Sequence, residues 1–256
     1  MLAPGIPALT EPSQARVYDY LLGGKDNFAA DREAGDAIEA MFPGMKVLVR
    51  QQREFARRAA AWLYGEGVRQ FLDVGCGLPS RPAVGDVVPG CRVAYVDSDA
   101  VVLLHARALL AGPGAAAVAG DPARPGDVLG SGELREVIDL GEPAAVLLAG
   151  TLGGMDAGTA RAAVRGYAAG LAPGSAIAVS CVSYADQRAA DEAAAAYAEV
   201  TGGTWHSHSQ RTIAGFFRAA GLEVARGGVA DVRAWWEPVS TSEVPVRVLG
   251  AVGIKP

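Results

Sequence analysis

One short segment of this sequence places an acidic residue and two glycines directly after an apolar run. Residues 70–74 read QFLDV and lead into a turn containing Gly75 and Gly77, so that Asp73 opens the pattern D-x-G-x-G. Gly75 permits a tight turn, and Gly77 lets a ligand approach the backbone because it has no Cβ. Two glycines alone are weak evidence, so the interpretation depends on the residues that follow.

Two further acidic residues follow the next predicted strands. Asp97 ends the second apolar run and is followed by Ser98, and Asp121 comes after the third run. Asp97 lies roughly 20 residues after the glycines, which is the position of the ribose-binding acid in dinucleotide folds. Because the carboxyl ends of parallel strands share one edge of a sheet, both acids can meet one nucleoside there. Asp97 can then accept both ribose hydroxyls, and Asp121 can accept from the exocyclic amine of adenine.

Each of these acids also has a purely structural interpretation. Asp73 can cap a turn. Asp97 can cap the next helix, although Asp99 is better placed to do so. Asp121 precedes Pro122 and can simply open a turn.

Two nucleoside cofactors suit this arrangement, a nicotinamide dinucleotide and S-adenosylmethionine. A dinucleotide needs its pyrophosphate over a helix N-terminus, so an acid beside the loop is unfavourable. S-adenosylmethionine has no phosphate and carries a sulfonium and an ammonium group, so the same acid is favourable. Asp73 stands beside the first glycine, Ser80 replaces the third glycine of the dinucleotide pattern, and Pro79 interrupts the turn into a helix. These residues favour S-adenosylmethionine and leave an NAD-dependent oxidoreductase as the alternative.

The elements that must position these residues follow from the hydrophobic pattern. Short apolar runs alternate with stretches of helical period, which predicts a mostly parallel sheet with helices on both faces and right-handed crossovers. The last two strands are joined by a loop containing Trp235, Trp236 and Pro238 instead of a helix, so we expect a closing antiparallel hairpin. Strands are predicted at 70–74, 92–96, 115–119, 144–149, 176–182, 222–225 and 246–252, and helices between them at 99–111, 128–139, 157–171, 186–200 and 210–220.

Three further helices are predicted before the first strand. Ser13 can cap the first, which ends at Gly23, and the others cover residues 30–41 and 46–64. We therefore divide the chain into a flexible tail (1–12), an N-terminal helical cap (13–66) and a ligand-binding α/β domain (67–256).

Composition and charge exclude several classes of function. Half of the 256 residues are hydrophobic, which allows a sizeable core. The 23 basic residues are outnumbered by 28 acidic ones, so a broad duplex-binding face is disfavoured and nucleic acid is not the expected partner. The local basic run Arg50, Arg53, Arg57 and Arg58 is interpreted as a solvated helix face.

The sequence predicts neither a metal site nor a membrane segment. Cys76, Cys91 and Cys181 form no C-x-x-C pair, and Cys76 is interpreted as a small spacer within the glycine turn. His206 and His208 lack a third ligand in a recognisable spacing and are interpreted as loop polarity. The N-terminus has no basic region typical of a signal peptide, and no apolar stretch reaches the ~18 residues that span a bilayer. We therefore expect a cytoplasmic protein.

A longer resemblance runs through most of the chain. Residues 20–32 read YLLGGKDNFAADR, and this segment resembles the N-terminal signature of a bacterial family of S-adenosylmethionine-dependent methyltransferases. The resemblance continues through QREF at 52–55, QFLDVGCGLPS at 70–80, VDSD at 96–99 and FF at 216–217. It implies a Rossmann-like class I methyltransferase with a seven-stranded sheet and N-terminal helices over the cofactor site.

The same resemblance implies roles for individual residues. Gly75 and Gly77 would approach the methionine part of the cofactor, Asp97 the ribose, and Asp121 the adenine. Residues of the N-terminal signature would close over the cofactor or the substrate, and the candidates for handling the acceptor are Tyr20, Lys25 and Asp26. The predicted cofactor-binding set is Gly24, Asn27, Asp73, Gly75, Cys76, Gly77, Asp97, Ser98, Asp121 and Gly150.

The segment after the fourth strand departs from this family. It reads GTLGGM at 150–155, where the family usually has bulkier residues, often a histidine. That edge faces the transferred methyl group in class I methyltransferases. Methyl transfer depends mainly on positioning, so a small-molecule acceptor and a base-free reaction are compatible with the sequence. The small residues equally allow a non-catalytic S-adenosylmethionine-binding or regulatory protein, and a homodimer is compatible with either.

Overall fold

The computed structural model describes residues 10–225, 227–235 and 245–256. Trp236, Pro238 and most of the predicted tail lie outside these ranges. Within them the chain alternates strands and helices, as the sequence predicts. No helix of the described part is long and apolar enough to span a membrane.

A single mixed sheet organises the fold. Its order is β3-β2-β1-β4-β5-β8-β6, with the short β7 pairing to β8. The pairs among β1 to β5 are parallel, whereas β8 runs antiparallel to β5, β6 and β7. The strands are β1 (Gln70–Val74), β2 (Arg92–Asp97), β3 (Ala115–Ala119), β4 (Ala145–Ala149), β5 (Ala176–Tyr184), β6 (Glu223–Val224), β7 (Ala230–Asp231) and β8 (Val246–Ile254).

The mostly parallel sheet and its antiparallel closure are confirmed, with one correction to the strand count. The sheet has eight strands instead of seven, because β7 adds a two-residue pairing at Gly250 and Leu249 of β8. Two residues are too few to produce a periodic pattern, so the hydrophobic pattern does not predict this strand.

Ten α-helices occur in the described ranges. They are α1 (Gln14–Leu22), α2 (Ala29–Met41), α3 (Met45–Gly65), α4 (Val84–Val87), α5 (Ala100–Leu109), α6 (Pro125–Gly130), α7 (Gly132–Arg135), α8 (Ala157–Gly170), α9 (Gln187–Thr201) and α10 (Gln210–Ala219). The single helix predicted at 128–139 is wrong. The chain instead forms α6 and α7, because the Ser131 side chain accepts from Leu134 N–H and starts a new helix there.

Helices cover both faces of the sheet. On one face α8 and α10 pack through Tyr167, Phe216 and Phe217. On the other face α3 packs through Phe55 and Leu63. The division at residue 66 stays a prediction, since α3 also joins α1 and α2 in a third apolar cluster around Val17, Leu21, Ala34, Ile38 and Val49. The helix α3 therefore connects the sheet to the two helices that precede it.

Candidate active site

A cavity of about 690 Å³ lies at the carboxyl edge of the parallel strands. Its floor is formed by the ends of five strands, through Gly75 (β1), Asp97 (β2), Asp121 (β3), Gly150 (β4) and Tyr184 (β5). Side chains of α1, α2, α3 and α9 close the other side. The volume lies in the range of small-molecule sites, and the carboxyl edge is where open α/β sheets bind ligands.

The glycine turn after β1 needs its glycines. Gly75 and Gly77 adopt φ values of +69° and +63°, in the region that side-chain-bearing residues avoid. A Cβ on Gly75 would lie 2.7 Å from the Thr151 side chain, whose hydroxyl donates to the carbonyl of Val74 at 2.7 Å. The turn is therefore packed directly against the segment that follows β4.

We expect Gly75→Ala to destabilise the protein more than the matched variant Gly90→Ala. Gly90 also has a positive φ (+74°), but nothing lies within 4 Å of its added Cβ. Gly90→Ala should cost about 1 kcal/mol from backbone strain alone. Gly75→Ala should cost about 1–3 kcal/mol more, because the methyl group must displace Thr151. Urea-induced equilibrium unfolding measures both, and equal losses would show that Thr151 does not restrict the turn.

Asp97 is held rigidly at the end of β2. One carboxylate oxygen accepts from Gly77 N–H at 2.9 Å and the other from Asp99 N–H at 3.0 Å. The residue is buried, and this burial raises the pKa of Asp97, while the two backbone donors oppose the shift. Asp99 itself caps α5 by accepting from Val101 N–H at 2.7 Å, so the capping role belongs to Asp99, as expected. Asp97 does not cap the helix and lines the cavity.

Three further residues that are predicted to bind the cofactor lie at this edge of the sheet. Asp121 and Ser98 line the cavity, as does Gly150, which has a φ of +82°. Asp121 also accepts from Ala123 N–H at 2.9 Å and so opens a turn, as its structural interpretation predicted. The other Asp121 oxygen lies 3.6 Å from Arg124 Nε, and the side chain is half exposed while it lines the cavity, so the turn and the cavity position are compatible.

Two predicted residues of the glycine motif lie behind the turn instead. Neither Asp73 nor Cys76 lines the cavity, although both are buried. Burial raises the pKa of Asp73, and the nearby Arg53 guanidinium opposes this shift. Burial also raises the pKa of the Cys76 thiol well above its ordinary value, so the thiol stays protonated and fits the predicted role of a spacer.

Arg53 is a cavity residue that the sequence interpretation missed. It lines the cavity, donates from Nη1 to the carbonyl of Cys76 at 2.8 Å, and stands 5.6 Å from the centre of the Tyr18 ring. Its Nε is buried without a partner, and no ion pair holds it within the described ranges. Its interpretation as part of a solvated helix face is wrong. The helical spacing indicates this position, because Arg53 lies four residues after the buried Val49 on α3 and therefore lies on the same face of the helix.

The glycine-rich part of the N-terminal signature folds around Asp19 instead of lining the cavity. The Asp19 carboxylate accepts from the backbone N–H of Asp26 at 3.0 Å and from Nδ2 of Asn27 at 2.9 Å. A Cβ on Gly24 would overlap this same carboxylate. Gly24 and Asn27 therefore shape the loop that joins α1 to α2, and neither is on the cavity lining.

The three candidates for acceptor handling also lie away from the cavity lining. Tyr20 donates to Asp36 at 2.6 Å, Lys25 is exposed, and Asp26 lies 3.7 Å from His105 Nδ1. The cavity is instead lined by the opposite face of α1, including Tyr18. Residues two apart on a helix point in nearly opposite directions, so Tyr18 and Tyr20 cannot share one wall. The roles of Tyr20, Lys25 and Asp26 stay predictions.

His208, one of the two histidines of the pair, has a structural role. His208 is buried, and its Nε2 lies 2.9 Å from the carbonyl of Leu152, within the 3₁₀ turn Thr151–Gly154. Burial lowers the pKa of His208, so the ring is neutral and contributes a hydrogen bond instead of a charge. The described residues contain no group of three side chains that could hold a metal ion.

The sheet order and the site at its carboxyl edge define a Rossmann-like class I methyltransferase fold. Human N-acetylserotonin methyltransferase in complex with S-adenosylmethionine shares this fold at 12% identity, over 96% of this chain and 63% of that chain (TM-score 0.51). Magnesium protoporphyrin IX methyltransferase from Synechocystis, with the same cofactor bound, shares it at 16% identity over 92% and 89% (TM-score 0.52).

Two bacterial structures are much more similar. A Thermobifida fusca protein described provisionally as a methyltransferase is 34% identical over 97% of both chains, with a TM-score of 0.86. A DUF574 family protein from Streptomyces avermitilis is 33% identical over 96% of this chain and 98% of that chain, also with a TM-score of 0.86. No curated protein matches the chain. The model of the S-adenosyl methyltransferase family matches residues 8–256, so the chain belongs to this family and is a methyltransferase that uses S-adenosylmethionine.

Proposed function

We propose that this enzyme methylates a small-molecule acceptor inside the cavity, with the nucleoside of the cofactor over β1 to β3 and the acceptor over β4 and β5. The observation that carries the proposal is the position of Asp97. Its carboxylate is fixed by two backbone N–H groups at the glycine turn and faces the cavity. A rigid, negatively charged acceptor at that point suits the two hydroxyls of a ribose.

The residues around the turn fit S-adenosylmethionine. Asp97 would bind the ribose, and Asp121 the exocyclic amine of adenine. Gly77 would allow close approach, since an added Cβ there would lie 3.2 Å from Arg53 Nη2. Arg53 has a buried Nε without a partner and lies beside this cradle, which suits the carboxylate of the methionine part. When bound, the cofactor supplies a methyl group activated by a positive sulfonium.

The chain's own residues would act by binding, orienting and excluding water. Close to the glycine turn, Gly150 and Thr151 line the cavity at the end of β4, where the acceptor would lie. Burial raises the pKa of Tyr18, Tyr184 and Tyr197, so these cavity phenols stay protonated at neutral pH. This favours a reaction that depends on proximity and needs no general base from these side chains.

Calorimetry tests the proposal against its alternatives. We expect S-adenosylhomocysteine to bind and NAD to give no heat at the same millimolar concentration. Tighter binding of NAD would support an oxidoreductase. A second step mixes the enzyme with labelled S-adenosylmethionine and a protein-free cell extract. Label transferred to any extract component supports catalysis, whereas cofactor binding without any transfer supports a regulatory protein. Cytoplasmic location and a homodimer stay predictions from the sequence.

A further inference from the structure

The cavity continues beyond Gly150 into a half built of aromatic and aliphatic side chains. The parallel order β3-β2-β1-β4-β5 places Asp121 at one end of the cavity floor and Tyr184 at the other. Four strand spacings of about 4.8 Å separate these ends by roughly 19 Å. The half over β4 and β5, which we call the acceptor half, is therefore distinct from the half that faces Asp97.

An aromatic wall closes the acceptor half. Tyr184 contacts Phe42 edge-to-face with ring centroids 6.5 Å apart, and contacts Trp205 in the same manner at 5.7 Å. The segment carrying Trp205 is tied to the turn after β4, because His206 N–H donates to the carbonyl of Gly153 at 2.7 Å. Tyr184 N–H donates to the Ser207 hydroxyl at 3.0 Å. The wall is thus fixed beside the turn that faces the cofactor half.

The charges on the cavity lining are separated from this wall. Among the described lining residues, the ionisable carboxylates are Asp97, Asp99 and Asp121, all at the ends of β2 and β3 or the start of α5, and the strong base is Arg53 beside the glycine turn. The acceptor half combines Phe42, Met45, Val182, Tyr184, Tyr197 and Trp205. The Tyr184 hydroxyl is buried without a hydrogen-bond partner among the described residues, so it can bond a neutral polar atom of an acceptor. It offers no opposite charge, so a charged acceptor placed there would lose its hydration without compensation, which is costly.

The chemistry of the wall also restricts the attacking atom. No histidine lines the cavity within the described part of the chain, and the raised pKa of Tyr184 and Tyr197 keeps both phenols protonated. The acceptor therefore has to bring a lone pair that is available without loss of a proton. A nitrogen that gains positive charge during transfer would be stabilised by neighbouring aromatic rings through cation–π attraction.

We propose that the acceptor is an uncharged, flat, largely apolar molecule that is methylated on a neutral nitrogen, held against Phe42, Tyr184 and Trp205. This proposal rests on the proposed function. The nitrogen lone pair forms the new N–C bond while the C–S bond breaks, and the electron pair of that bond stays on sulfur as a neutral thioether. The positive charge moves from sulfur to nitrogen, and an N–H proton, where there is one, passes to water after release.

Binding of two matched probes to the enzyme saturated with S-adenosylhomocysteine tests the proposal. The probes are isoquinoline and isoquinoline with a carboxylate on its second ring. At a pH where isoquinoline is neutral, we expect calorimetry to show at least tenfold tighter binding of isoquinoline. With labelled S-adenosylmethionine, we expect mass spectrometry to detect N-methylisoquinolinium. Equal or tighter binding of the carboxylate probe would overturn the proposal.

A positive charge introduced into the acceptor half should increase the affinity for the carboxylate probe. Misfolding would not produce such an increase. Met45→Lys places a cation on the cavity lining at the start of α3, and we expect the preference to reverse so that the carboxylate probe binds at least tenfold tighter than isoquinoline. The control Val47→Lys adds the same charge on the same helix at a residue that is 53% exposed, and should leave both affinities unchanged. An unchanged preference in Met45→Lys would contradict the proposed acceptor half. Absence of S-adenosylhomocysteine binding in the wild type would instead contradict the proposed function.

Discussion

Replacing Asp97 by asparagine is expected to weaken S-adenosylhomocysteine binding by about 10- to 100-fold. Each Asp97 oxygen accepts from one backbone N–H, and the residue lines the cavity. An amide loses the negative charge and turns an NH₂ group toward one of these N–H donors. A hydrogen bond to a charged group contributes about 1.5–3 kcal/mol, and about 1.4 kcal/mol is a factor of ten in affinity.

The measurement is calorimetry with S-adenosylhomocysteine and, separately, with adenosine. Both ligands carry the ribose, so both should lose affinity to a similar degree in Asp97→Asn. Asp127→Asn is the matched control, since Asp127 is an exposed acid on α6 that does not line the cavity. We expect Asp127→Asn to bind both ligands with wild-type affinity. If Asp97→Asn also binds both ligands with an affinity within threefold of the wild type, the ribose is not held at the end of β2.

Replacing Arg53 by glutamine is expected to weaken the binding of one ligand and leave the other unchanged, where the two ligands differ only in the amino-acid part. S-adenosylhomocysteine should bind about 10- to 100-fold more weakly, because a charge-assisted hydrogen bond to its carboxylate is lost. 5′-Methylthioadenosine lacks that carboxylate and should bind within about twofold of its wild-type affinity. The physical reason is the position of Arg53, which lies beside Gly77 with a buried Nε that has no partner in the described structure.

The unaffected ligand serves as an internal control for folding in this experiment. Arg50→Gln is the matched variant on the same helix, because Arg50 is exposed and absent from the cavity lining. Equal loss of both ligands in Arg53→Gln would mean that Arg53 supports the glycine turn through the Cys76 carbonyl instead of binding the carboxylate. Unchanged binding of both ligands would show that Arg53 is not part of the binding site.

The charges around the site differ from those expected from the sequence. The sequence predicts acidic side chains around a positively charged cofactor, with Asp73 prominent among them. Asp73 lies behind the turn, whereas Arg53 adds a positive charge to the cavity lining. The site is therefore of mixed charge, which suits a ligand that has both a carboxylate and positive groups.

The sequence by itself determined the sheet and the residues at its edge. The strands from β1 to β5 were predicted to within one or two residues, because each is a short apolar run between turn residues. Asp97 and Asp121 follow from the same pattern, since each lies at or just after the end of a parallel strand and such strands end at a common edge. Gly150, which also lines the cavity, follows from the family resemblance. These features depend on local pattern and chain order, which a single sequence records.

The tertiary structure alone decided which side of each N-terminal helix meets the cavity. The signature residues Tyr20, Lys25 and Asp26 lie off the cavity lining, while Tyr18 and Arg53 lie on it, because the packing of α1 and α3 sets their rotation relative to the sheet. The acceptor half likewise unites Phe42 and the start of α3 with β5, α9 and the segment around Trp205, which lie more than 100 residues further along the chain. No local sequence pattern predicts that these elements come together, because their arrangement results from the simultaneous burial of the apolar faces of several helices and strands.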